Sequence, residues 1–78
     1  MEGRAAPRTP VLMSGAVEFS GCTINCLISN MSIFGAALEV SNHNNVPERF
    51  NLFFKADGTK IPCHVIWRKG EQMGVAFD

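Results

Sequence analysis

No excess of charge of either sign marks this chain: seven Lys and Arg face seven Asp and Glu over 78 residues. A domain that binds nucleic acid in bulk carries a basic field, so any anion site here must be local. There is no apolar run near the roughly 18 to 20 residues that a bilayer-spanning helix needs, and no N-terminal apolar stretch of the secretory kind. Both absences lead to the expectation of a cytoplasmic protein without membrane insertion. The cysteines number three, with no CxxC pair, which argues against a disulfide framework and against a usual zinc site. Cys22 and Cys26 fall on one expected strand about 13 Å apart at roughly 3.3 Å per residue, beyond bridging reach. They alternate with Ile24 and Ile28 and read as apolar core rather than as metal ligands with Cys63, His43 and His64. No metal and no cofactor is expected.

Catalytic material is thin as well. An enzyme needs a nucleophile or an acid–base pair in a sheltered site. Glu18 and Glu39 fall on outer strand faces, while Glu48, Asp57 and Glu71 fall at turns. His43 sits in a polar loop, and His64 alternates with Cys63 and Val65 and so faces away from the core. No triad-like or metal-assisted set can be named, and the expectation is a protein that is not an enzyme.

What is present is core material for one small domain. Apolar residues make up 46% of the chain and include six Phe and one Trp, too many for a disordered protein. Residues 1–10 carry Gly3, two prolines and two arginines without an apolar period and read as an extended arm. From Val11 to Asp78 the signal is period-two alternation broken by short turns. Val11, Met13, Val17 and Phe19 predict a first strand with a bulge at Ser14-Gly15. Cys22, Ile24, Cys26 and Ile28 predict a second, and Ala36, Leu38 and Val40 a third. After the polar loop Ser41 to Glu48 come Phe50, Leu52 and Phe54, then an Asp57-Gly58 hairpin signal. Ile61, Cys63, Val65 and Trp67 predict a fifth strand with all four inward, and Met73, Val75 and Phe77 a sixth. Six strands without a helical period predict an antiparallel sandwich or closed barrel. A barrel this small fills its interior with side chains, so function must lie outside it.

Two polar signatures remain. Arg4 and Arg8, at i and i+4 on an arm stiffened by Pro7 and Pro10, can reach around one ligand and present planar forks to phosphate or to the Hoogsteen edge of guanine; they also suit a solvated basic tail. Asn30 and Ser32, at alternate positions leaving the second strand, can point to one side and bond purine edges or phosphates. Gly35 permits a positive φ or a close ligand approach. The same residues also suit a turn that satisfies its own backbone.

Taken together, these signatures resemble the PilZ domain, a bacterial receptor module for cyclic di-GMP. Arg4-Ala5-Ala6-Pro7-Arg8 matches its RxxxR, and Asn30-Met31-Ser32-Ile33-Phe34-Gly35 matches its [D/N]xSxxG. The likeness continues through Gly35-Ala36-Ala37-Leu38, Pro47 to Leu52, Cys63 to Arg68 and Gly74-Val75-Ala76-Phe77, covering essentially the whole chain. The resemblance implies an all-β, six-stranded antiparallel barrel over residues 11–78 with an N-terminal arm and, in this chain, no helix after the barrel. It implies that Arg4 and Arg8 grip phosphates and guanine edges when the arm folds over, with polar contacts from Asn30 and Ser32 and Gly35 allowing the turn. The implied partners are cyclic di-GMP and an effector protein, with a monomer or a ligand-linked dimer as the assembly. Gly3 stands where many relatives carry an arginine or bulky residue that bears on whether one or two ligand molecules are held. A second reading is a nucleotide-independent adaptor using Phe53, Ile66 or Leu27 as its patch. A single-stranded nucleic-acid binder fits less well, because the aromatics follow the core period and the charge is zero.

Overall fold

The computed structural model describes residues 12–41 and 45–78. The expected arm with Gly3, Arg4 and Arg8, and His43 of the polar loop, lie outside the described residues. Six strands follow in chain order: β1 Met13–Phe19, β2 Cys22–Ser29, β3 Gly35–Glu39, β4 Arg49–Phe54, β5 Thr59–Lys69 and β6 Gln72–Phe77. They close into a barrel in the order β1-β2-β3-β6-β5-β4, every neighbouring pair antiparallel. The described residues contain no α-helix, and none long and apolar enough to cross a membrane. The all-β barrel is therefore as the alternation predicts.

Alternation also decides what fills it. Val17, Ile28, Leu38, Val40, Leu52, Cys63 and Met73 are fully buried in one core cluster. Burying a Val, Leu, Ile or Met side chain contributes about 1.5–3 kcal/mol, and a one-residue slip would turn a strand's whole set outward, so the register is strongly held. Burial pushes the Cys26 thiol up to about 11 and that of Cys63 to about 12, so both behave as small apolar groups. Asp57 closes the β4–β5 hairpin by accepting a hydrogen bond from the Thr59 amide at 3.0 Å, which lowers its pKa, while the Gly58 amide donates to Phe54 O at 2.8 Å.

Four expectations are corrected. The β1–β2 register runs unbroken from Met13↔Ile28 to Phe19↔Cys22, so Ser14-Gly15 is no bulge; a Cβ on Gly15 would meet Ile28 Cδ1 at 2.4 Å, and glycine is needed for close packing instead. The bulge lies in β5, where Val65 pairs Val75 but Trp67 pairs Gly74. Ile66 is the extra residue, and Trp67 is thereby rotated out of the core to the surface. Cys22, at the mouth of β2, is exposed and not core. The loop before β4 is not wholly polar: Val46 is buried in the core cluster, and Arg68 Nη2 donates to its carbonyl at 2.7 Å.

Candidate functional site

β2 leaves the barrel at Ser29, and Asn30 turns the chain with φ 48°, in the left-handed region that Asn tolerates better than most side chains. Ser32 Oγ then accepts a hydrogen bond from the Phe34 amide at 3.1 Å, and the Ser32 amide donates to Gly35 O at 2.9 Å. The local-turn reading of Ser32 is thus realised, and its hydroxyl keeps a proton to donate outward. Asn30 makes no side-chain hydrogen bond with another described residue. The Phe77 amide donates to Phe34 O at 2.8 Å, carrying the β3–β6 pairing past Gly35 and leaving Ile33 and Phe34 exposed at 85% and 76%.

Gly35 serves this turn differently from the expectation. It does not sit at positive φ. A Cβ there would lie 2.0 Å from Val75 O, so the missing side chain lets β6 approach β3. The close approach is to the protein's own backbone.

The opposite wall comes from the far end of the chain. The bulge at Ile66 puts Trp67 in an outward row with Gly74 and Ala37. A Cβ on Gly74 would meet Trp67 Nε1 at 2.2 Å, Cε2 at 2.5 Å and Cδ1 at 2.8 Å. The pyrrole half of the indole therefore lies over the Gly74 backbone, with the residue still 44% exposed. Between the walls, Gly35, Ala37, Gly74 and Ala76 form a floor of small residues. The result is a surface depression of about 320 Å³, lined also by Asn30, Ser32, Phe34, Ile66 and Trp67. That volume is at the low end for ligand sites.

None of the described lining residues is charged. Beyond Ala76, His64 Nδ1 lies 2.6 Å from Asp78 Oδ1, and Arg49 Nη1 lies 3.3 Å from Asp78 Oδ2. His64 thus faces away from the core as its period predicts, and the nearby guanidinium already has a carboxylate.

Of the residues singled out from sequence, Asn30, Ser32 and Gly35 line one depression, whereas Arg4 and Arg8 lie outside the described residues. Sequence reasoning missed Trp67, Gly74 and Phe34 as parts of the site. A signal for Trp67 exists: Val65-Ile66-Trp67 is three apolar residues in a row where alternation should continue. The adaptor patch does not gather as one surface. Ile66 belongs to the depression, Leu27 pairs Glu39, and half-buried Phe53 lies between Ala16 and Lys60.

Residues 2–78, essentially the whole chain, match the family model described as PilZ domain. A comparison with curated proteins finds none that matches.

Proposed function

The chain belongs to the PilZ domain family, a family of cyclic di-GMP-binding domains and not a class of enzymes, and we propose that it is itself a cyclic di-GMP receptor. One observation carries the reading: Asn30 and Ser32 share a small, uncharged depression with Trp67 and Gly74 from the far end of the chain. A guanine has a flat π-face and a polar edge. Trp67 offers the face a stacking surface, and base–aromatic stacking contributes about 1–3 kcal/mol per base. Asn30 offers an amide donor and acceptor, and Ser32 a hydroxyl donor, to the edge or to a phosphate.

The two phosphates need counter-charge that the described lining does not supply. Arg4 and Arg8 are the groups of the right chemistry, since guanidinium forks bond phosphate in pairs. Ligand then orders residues 1–10 against the barrel, and the altered surface engages an effector protein in the cytoplasm, as a monomer or a ligand-linked dimer. Isothermal titration with cyclic di-GMP tests this: the parent binds, and Arg4→Ala and Arg8→Ala each weaken binding by roughly 1.5–3 kcal/mol. No heat and no thermal shift with the parent at micromolar ligand overturns the reading.

The alternative, a nucleotide-independent adaptor, draws on the exposed Ile33, Phe34 and Ile66 around the same depression. Partner capture unaffected by cyclic di-GMP and by loss of both arginines favours it.

A further inference from the structure

We propose that Gly74 is a positioning residue for the ligand site: the side chain it lacks sets the height at which Trp67 presents its free face to a guanine. This rests on the cyclic di-GMP reading. Gly74 is an outward position of β6, paired across the sheet with Trp67 on one side and Ala37 on the other. The three atoms nearest its absent Cβ, at 2.2, 2.5 and 2.8 Å, all belong to the pyrrole ring of Trp67. Ordinary contact between carbon atoms is about 3.5–4.0 Å. Even one methyl group would therefore lift or swing the indole by at least about 1 Å.

What must give way decides the consequence. At Gly35 the obstacle is the carbonyl of Val75, part of the sheet itself. At Gly74 it is an outward side chain, 44% exposed, with room to move toward solvent. Alanine at 74 is thus compatible with the barrel but not with the indole's present seat. Asn30 and Ser32 stand beside the same floor, so they meet a stacked base at one height only. Raising the ring by about 1 Å takes the base edge outside the 2.7–3.2 Å range of a good hydrogen bond. The bulge at Ile66 turns Trp67 outward, and Gly74 then determines how low it lies.

A purely structural role is the competing account, since an aromatic ring laid across a strand glycine also shields its backbone. A double-mutant cycle separates them. Gly74→Ala, Trp67→Ala and the double variant are titrated with cyclic di-GMP, with thermal melts and fluorescence measured alongside; Trp67 is the chain's one tryptophan, so all indole emission reports it. Gly74→Ala is expected to melt cooperatively, to shift the ligand-free emission to the red, and to raise Kd roughly tenfold, within the range for lost stacking. In the Trp67→Ala background the same change is expected to alter Kd less than about twofold. The inference is overturned if Gly74→Ala binds as the parent does, weakens binding equally in both backgrounds, or loses its cooperative melt. Failure of the parent to bind overturns the underlying reading; parent binding with Gly74→Ala unchanged overturns this inference alone.

Discussion

His64 Nδ1 and Asp78 Oδ1 stand 2.6 Å apart, which fastens the residue after β6 to the outer face of β5, one step beyond the floor of the depression. The Asp78 amide adds a bond to Pro62 O at 2.9 Å. Both side chains are substantially exposed, so solvent screening keeps such a pair to about 0–1 kcal/mol. Asp78→Ala is accordingly expected to lower stability by no more than about 1 kcal/mol in urea unfolding. A much larger loss would show that this tie anchors the end of β6.

Asn30 has two separable roles, because its backbone is at φ 48° and its side chain lines the depression. Asn30→Gly keeps a residue at home in the left-handed region and is expected to leave the melt nearly unchanged. It should weaken cyclic di-GMP by about 0.5–1.5 kcal/mol, the net scale of one hydrogen bond. Asn30→Ala should lose that contact and about 1 kcal/mol of stability besides. Equal binding by Asn30→Gly and the parent would remove Asn30 from the contact set.

Gly35→Ala is expected to act on the fold first. Its Cβ would fall 2.0 Å from Val75 O, forcing β3 and β6 apart. Overpacking of this kind costs about 1–3 kcal/mol, and a thermal melt should fall by several degrees with or without ligand. An unchanged melting temperature contradicts this account of the glycine.

The cysteines predict an alkaline limit. The folded-state pKa values of Cys26 and Cys63 are raised from 9.0 to about 11 and about 12. Between those values the unfolded chain has lost thiol protons that the folded one retains, so stability is fully present below pH 9 and falls as pH climbs toward 11 and 12. Urea midpoints measured across that range check the direction, and Cys26→Ala should flatten the slope. In the native protein at pH 8, a thiol reagent should modify exposed Cys22 rapidly and the other two only on unfolding.

Much of this was legible because period two is a direct consequence of strand geometry. Cys26, Ile28, Leu38, Leu52 and Val75 alternate in the sequence and are buried in the barrel. Asn30, Ser32 and Gly35 were legible as a motif, though Gly35 proves to serve strand approach. Trp67 was legible only in part: Val65-Ile66-Trp67 interrupts the alternation, but a bulge is a relation between two strands, Val65 and Trp67 pairing consecutive residues of β6, and nothing within β5 alone says which residue is extra. The same reason hid Gly15 and Gly74, whose missing side chains are explained by Ile28 and Trp67 across the sheet. Cys22 kept the right period but lies where the barrel opens. Burial there depends on how far the neighbouring strands extend, and alternation carries no such information.

Closure of the barrel restricts how another chain can dock on it. Each strand is flanked by two others, so little of the backbone's hydrogen-bonding capacity is left to dock an added strand, the route by which many domains with an exposed sheet edge take hold of peptides. On the proposed function, an effector would therefore recognise side chains and turns, and a bound nucleotide would alter that recognition by covering or rearranging them.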